Sequence, residues 1–183
     1  MSMRCLSLSS LGQSLSSFAR ACRHASALAM ESLPHRHLTT LTLDVDFAGT
    51  VPIGAVAAGR RGIAPVRGGT FAGARLNGTV APGHDWFVAR SNGDLVLDVR
   101  LTLTTGYGAM IYLNYSGLMR GHGDAMARFR KGETLTAEDY ALEVSGKFEC
   151  GDPRYAWLND ALVVGVGEQH PSGPIYRFFE VGR

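Results

Sequence analysis

Leu95-Val96-Leu97-Asp98-Val99-Arg100-Leu101-Thr102-Leu103-Thr104 is the stretch on which the reading of this chain turns. Leu95, Leu97, Val99, Leu101 and Leu103 alternate with Val96, Asp98, Arg100, Thr102 and Thr104. A period of two marks a strand with one face buried. Ser91-Asn92-Gly93-Asp94 precedes it and follows Trp86-Phe87-Val88, so Asn92-Gly93 reads as a tight hairpin turn. Upstream, Leu41, Leu43, Val45 and Phe47 alternate with Thr42, Asp44 and Asp46. Further strands are expected over residues 69–80, 108–116, 141–149, 161–168 and 174–182, with His170-Pro171-Ser172-Gly173-Pro174 turning between the last two. Only residues 119–140 break the rhythm: Met119 to Lys131 is rich in arginine and glycine, and Thr136-Ala137-Glu138-Asp139 suits a short helical turn. About eight strands with no alternating helices predict an all-β fold, a single antiparallel β-barrel. Closure would also hide the sheet edges.

Composition agrees. The 183 residues fit one domain, 45% are hydrophobic, 19% are charged and 23 are glycine. That charged share is below the usual ~25% and glycine is well above the usual ~7%, as turn-rich β proteins require. Residues 1–30 carry Arg4, Arg20 and Arg23 and no acid, which leaves 15 basic and 16 acidic groups in residues 31–183. A domain so near neutrality argues against nucleic acid as a partner. Cys5, Cys22 and Cys150 are too few and too scattered for a disulfide framework, so a reducing compartment, the cytoplasm, is expected.

The first 30 residues read as an N-terminal extension outside the fold, and residues 31–183 as the barrel domain. The extension holds eight serines, with Leu8, Leu11, Leu15, Phe18 and Cys22 at helical spacing. No apolar run in it exceeds four residues, too short for a secretory core or a membrane span. Two readings stand: an organelle transit peptide, or a start assigned upstream of a true initiator at Met30. Sixteen arginines against two lysines suggest a GC-rich coding sequence, which favours the second. Organelle targeting would follow only if the extension is translated.

Three stretches, Gly68-Gly69-Thr70-Phe71-Ala72-Gly73 running on to Leu76-Asn77-Gly78-Thr79-Val80, then Pro82-Gly83-His84-Asp85-Trp86, then Arg154-Tyr155-Ala156-Trp157-Leu158-Asn159, come in an order and spacing that resemble a known family. It is the bacterial and fungal family called domain of unknown function 3237, or uncharacterised protein family 0311. Gly108-Ala109-Met110-Ile111-Tyr112 fits it too. The resemblance spans roughly residues 37–182 and implies a small antiparallel barrel with a small-molecule pocket, without a settled activity. In one departure, Tyr107 precedes Gly108 where the family usually shows an acid.

The residues themselves suggest several sites. Gly68-Gly69, with Arg60, Arg61 and Arg67 nearby, reads either as an anion-binding nest or as a corner where only glycine fits. Asp85 would act as general acid or base beside a stacking Trp86, or cap a turn while Trp86 packs. Asp98 and Arg100 share one strand face, either lining the barrel as an acid–base group with an oxyanion-stabilising cation or facing water as a surface pair. Tyr112 and Asn114 share a face opposite Ile111, Leu113 and Tyr115 and would orient a carbonyl. Pro153 after Asp152 suits a short helical plug, with Tyr155 and Trp157 as anchors and Arg154 available to a carboxylate. Glu149, on the strand just before, is the remaining acidic candidate near that plug. Six histidines lack ligand spacing: His35-Arg36-His37 is half of a cupin-like set with no glutamate following, so neither metal nor cofactor is expected.

The function expected is therefore that of a small-molecule-binding barrel working without a cofactor. It would perform proton-transfer chemistry (isomerisation, elimination or lactone opening) on a carbonyl-bearing or aromatic metabolite. Asp85, Asp98, Glu149 and Tyr112 are the acid–base candidates, and Trp86, Arg100, Asn114, Arg154, Tyr155 and Trp157 the binding ones. The alternatives are a non-catalytic ligand-binding barrel and a structural or oligomerisation domain. The expected partner is a small-molecule ligand, with no nucleic acid and no membrane, and a homo-oligomer left open.

Overall fold

The computed structural model describes residues 32–182, so the expectations for residues 1–30 lie outside the described residues. Eleven strands are formed: β1 (His35–Val45), β2 (Val51–Val56), β3 (Gly59–Ala72), β4 (Gly78–Val80), β5 (Gly83–Asp85), β6 (Val88–Ala89), β7 (Leu95–Thr105), β8 (Met110–Gly121), β9 (Tyr140–Cys150), β10 (Val163–His170) and β11 (Gly173–Val181). One short helix, α1 (Ala125–Arg130), and a 3₁₀ segment (Pro153–Asp160) complete the domain. The sheet runs β1-β11-β10-β9-β8-β7, continues through the short strands β4, β5 and β6 to β3, and closes where β3 pairs with β1. Every pairing is antiparallel. Because β4, β5 and β6 share one stave, the closed barrel has eight staves, and β2 is a hairpin arm paired only to β3.

The alternation that decided the reading holds. Leu97, Val99, Leu101 and Leu103 are buried and the residues between them are not. The Asn92-Gly93 turn is closed by Gly93 N–H donating to Arg90 O and Arg90 N–H to Asp94 O. Two expectations shift. The strand expected over 69–80 is two, since β3 ends at Ala72 and β4 begins at Gly78. The helix in the irregular stretch is α1, upstream of Thr136-Ala137-Glu138-Asp139, where the Thr136 N–H and hydroxyl both donate to the Asp139 carboxylate and close a turn.

The barrel interior has two zones. One end is solid: Leu41, Phe71, Leu103, Ile111, Leu113, Phe148 and Phe178 are all 0–2% exposed. The 3₁₀ segment packs at this end. Asp152 caps it by accepting from Arg154 N–H, and the Asn159 side-chain amide ties it to the Cys150 backbone, accepting from its N–H and donating to its carbonyl. The other end is hollow, and α1 lies over it. There Leu43, Val45, Leu97, Val99 and Met119 continue the same inner rows but border empty space.

Candidate active site

The hollow end encloses about 560 Å³, within the range of small-molecule sites. Its wall is mostly apolar: Met126 and Phe129 of α1 face Leu95, Leu97, Phe87 and Leu142. Asp85 is the only acid in that wall. Register puts it at the floor. On β5, Asp85 stands opposite Ala64 of β3 on one side and Val99 of β7 on the other. Val99 in turn stands opposite Tyr115 of β8, so these residues share the inward face. Beyond them the interior is the solid core.

Asp85 is half-buried, and its Oδ1 accepts the Asp98 N–H at 3.3 Å. Burial in this apolar wall is the largest influence and raises its pKa. The Asp98 N–H opposes that, the Asp98 charge adds to it, and Arg61 lowers it. The result is a carboxyl pushed up to about 7. Such a group exchanges protons readily near neutral pH.

Two phenols share the floor. Tyr115 and Tyr176, 1% and 2% exposed, both line the cavity. Burial first, then each other and the negative charge of Asp85, push the Tyr115 phenol well above its ordinary value. Burial first and then the charge of Asp85 likewise push the Tyr176 phenol well above its ordinary value, and the opposing bond to Tyr115 does not outweigh them. Both therefore stay protonated and remain hydrogen-bond donors. Neither was singled out from the sequence, because an aromatic on the buried face of a strand reads as core. The available signal was that Tyr115 falls on the Ile111/Leu113 face.

The other sequence candidates do not converge on this cavity. Asp98 and Arg100 lie on the outer face of β7, paired with each other at 3.3 Å. Tyr112 and Asn114 lie on the outer face of β8, Asn114 Nδ2 donating to Tyr112 Oη at 3.4 Å. Glu149 pairs with Lys147 at 2.9 Å on the outside of β9. Strand alternation is the reason: the inward positions beside them are taken by Val99, Leu113 and Phe148. Trp86 sits outside with His84 and Arg100, its ring 5.5 Å from the His84 ring. At the solid end, Arg154 is held by Asp152 at 2.6 Å, Tyr155 is core, and Trp157 lies under the Arg75 guanidinium at 3.7 Å. Of the acid–base candidates, Asp85 alone borders the cavity. Arg67, grouped with the glycine corner, pairs with Asp46 at 3.0 Å. Among the described residues, no three His, Cys, Asp or Glu side chains gather as a metal-binding group, and no helix is long and apolar enough to cross a membrane.

Fold and site together define a closed antiparallel β-barrel, solid at one end and hollow at the other, with a single half-buried acid at the floor of the hollow. The family model described as protein of unknown function (DUF3237) matches residues 35–181, and the chain belongs to that family. It is 27% identical over 140 residues to the UPF0311 protein RPA1785 of Rhodopseudomonas palustris, covering 76% of this chain and 90% of that one. It is 26% identical over 124 residues to the UPF0311 protein CA_C3321 of Clostridium acetobutylicum, covering 67% and 78%. Among solved structures, the R. palustris protein superimposes with a TM-score of 0.75 over 82% of this chain and 98% of its own, at 27% identity. A protein of Acinetobacter baumannii described as beta-barrel like gives 0.71 at 30% identity, over 82% and 96%. A protein of Penicillium herquei described as an enzyme gives 0.61 at 17% identity, over 81% and 94%, a likeness of fold.

Proposed function

We propose that this barrel is an enzyme of proton transfer acting on a carbonyl-bearing metabolite, with Asp85 as the acid–base residue and the Tyr115 and Tyr176 hydroxyls as donors to the carbonyl oxygen. The observation that carries this reading is the joint presence, at the floor of one mostly apolar cavity, of a lone acid and two buried phenols. In ionised form Asp85 takes a proton from the carbon next to the carbonyl, and the electron pair of that C–H bond moves onto the carbonyl oxygen. The phenols stabilise the resulting enolate through hydrogen bonds that strengthen as charge develops. Protonated Asp85 then returns the proton to a different carbon of a conjugated enolate, completing an isomerisation, or to the β-substituent that the enolate expels, completing an elimination. A carboxyl near pH 7 suits both halves of the cycle. The description of the P. herquei protein as an enzyme is in keeping with this reading.

The test begins with a thermal-shift screen of carbonyl-bearing metabolites. Each ligand found is then followed by NMR in D₂O for exchange of its carbon-bound hydrogens. Catalysed exchange is expected for at least one ligand, and Asp85→Asn should bind that ligand while losing exchange by about 10²- to 10⁴-fold. Ligands that bind without exchange, or exchange undiminished in Asp85→Asn, overturn the proposal and leave a binding barrel.

A further inference from the structure

At the rim of the same cavity the charge pattern changes sign. Arg60, Arg61, Arg90 and Arg130 all contribute to the cavity wall. Among the described residues, these are the arginines with no carboxylate within 4 Å. Arg36 and Arg75 meet Glu180, Arg67 meets Asp46, Arg100 meets Asp98, Arg120 meets Glu143, Arg128 meets Asp139, Arg154 meets Asp152 and Arg177 meets Glu168. Residues 31–183 hold 16 acids against 15 bases, so a shortage of partners does not explain the pattern. The arginines without counter-ions are gathered at one opening.

Their placement is built by three elements. Arg60 occupies the same face of β3 as Gly62 and Ala64, at the end of the stave, and its register partner is Ala89, another wall residue. Arg90 opens the turn after β6, where its N–H and C=O bind Asp94 and Gly93. Arg130 ends α1, and its Nη1 lies 3.7 Å from where a Cβ on Gly93 would stand, which brings it over that same turn. Arg61 differs, since its Nη1 donates to the Trp86 carbonyl at 2.6 Å. Three guanidinium groups thus border the mouth with no carboxylate within 4 Å, an arrangement that favours an anion seated among them. Four residues of β3, about 13 Å of extended chain, separate Arg60 from Ala64 beside Asp85. Bent inward, an arginine side chain spans about half of that.

We infer that the metabolite held in this cavity carries an oxyanion, a carboxylate or a phosphate, seated at the rim by Arg60, Arg90 and Arg130 while its neutral body lies against the apolar wall. Guanidinium suits either oxyanion because its planar fork makes paired, charge-assisted hydrogen bonds. The inference builds on the reading of the floor as a carbonyl site and names the other end of its ligand.

Matched probes test it by calorimetric titration of the full chain: phenylpyruvate against phenylacetone for a carboxylate, and phenyl phosphate against phenol for a phosphate. At least one anion is expected to bind about tenfold or more tightly than its neutral partner. The gap should narrow with added salt and close in R60Q/R90Q/R130Q, with circular dichroism and melting temperature as the check that the variant is folded. Arg120→Gln, on the outer wall, should leave the gap intact. The pair with the larger gap distinguishes carboxylate from phosphate. Equal binding within both pairs, a gap that survives the triple variant, or no anion binding at millimolar concentration overturns the inference. The outcomes separate it from the proton-transfer reading. Anion preference with no hydrogen exchange leaves the rim site standing and removes the reaction, whereas exchange on phenylacetone and phenylpyruvate bound equally well does the reverse.

Discussion

Tyr115 and Tyr176 meet edge to face inside the barrel, with ring centroids 5.1 Å apart and planes at 60°. The rings hold one another by packing, while the proposed role of their hydroxyls is to donate to the carbonyl oxygen. Phenylalanine at either position removes only the second role. Tyr115→Phe and Tyr176→Phe are each expected to change unfolding free energy by no more than about 1 kcal/mol. Catalysed hydrogen exchange should fall about 10²- to 10³-fold in at least one of them. Tyr176→Ala removes the ring as well and should cost about 3 to 5 kcal/mol in a urea titration. Full exchange rates in both phenylalanine variants would remove the phenols from the reaction.

Asp85 also makes stability depend on pH. Its carboxyl holds a proton up to about pH 7 in the folded chain and up to 3.8 in the ordinary state. Between those values the folded state binds more protons than the unfolded one, so this residue's contribution falls as pH rises from about 4 to 7 and is level above that. A shift of this size corresponds to at most about 4 kcal/mol. Asp85→Asn cannot ionise. Relative to the wild type it should gain stability between pH 5 and pH 8, read as a difference in urea midpoints. A difference that is constant with pH would show that the carboxyl is not displaced.

Glu180 illustrates the opposite sign. It is 0% exposed, and its Oε2 accepts from Arg36 at 2.7 Å and Arg75 at 2.8 Å. Burial raises its pKa, but the bonds and charges of the two arginines outweigh burial and hold the carboxyl below its usual 4.5. Its stabilisation is present above pH 4.5 and is lost as pH falls through the lowered folded value. Glu180→Gln should cost about 2 to 3 kcal/mol at pH 7, less than a fully buried orphaned charge because both arginines reach water. The cost should shrink as the medium is acidified toward pH 3. Equal stability of variant and wild type at pH 7 would refute this account.

Gly69 closes the barrel seam. It lies opposite Leu43, and a Cβ there would stand 2.1 Å from the Thr42 carbonyl oxygen at a φ of +156°. Gly69→Ala must open the β1–β3 ladder and should lower stability by about 3 kcal/mol or more. Gly68→Ala, whose Cβ would meet Val80 O at 3.0 Å, should cost less. Proteolysis within β1 is the direct check, with Gly69→Ala cleaved faster.

The legible part of the fold was carried by strands whose faces differ in polarity. Leu97, Val99, Leu101 and Leu103 declare their side of β7 because Asp98 and Arg100 occupy the other. Residues 51–66 gave no such contrast. β2 is almost wholly exposed, and β3 interposes Pro65 and glycines, so this hairpin was not anticipated. The site was legible only at Asp85. An acid stands out against apolar neighbours, whereas a cavity-lining tyrosine has the same pattern as a core tyrosine. Pairing also hides purpose: Asp98 with Arg100, and Glu149 by itself, look like chemistry along a sequence, and in the barrel they are held in solvent-facing ion pairs, Glu149 with Lys147.

Helix α1 has six residues, too few to stand by itself in water. Its position is fixed by Met126 under the Gly93 turn and by Arg128, which bonds Asp139 across the following loop. Met126 and Phe129 are nonetheless part of the cavity wall. The capacity of the chamber is thus written partly outside the staves, in a stretch that can be rewritten without disturbing a single ladder.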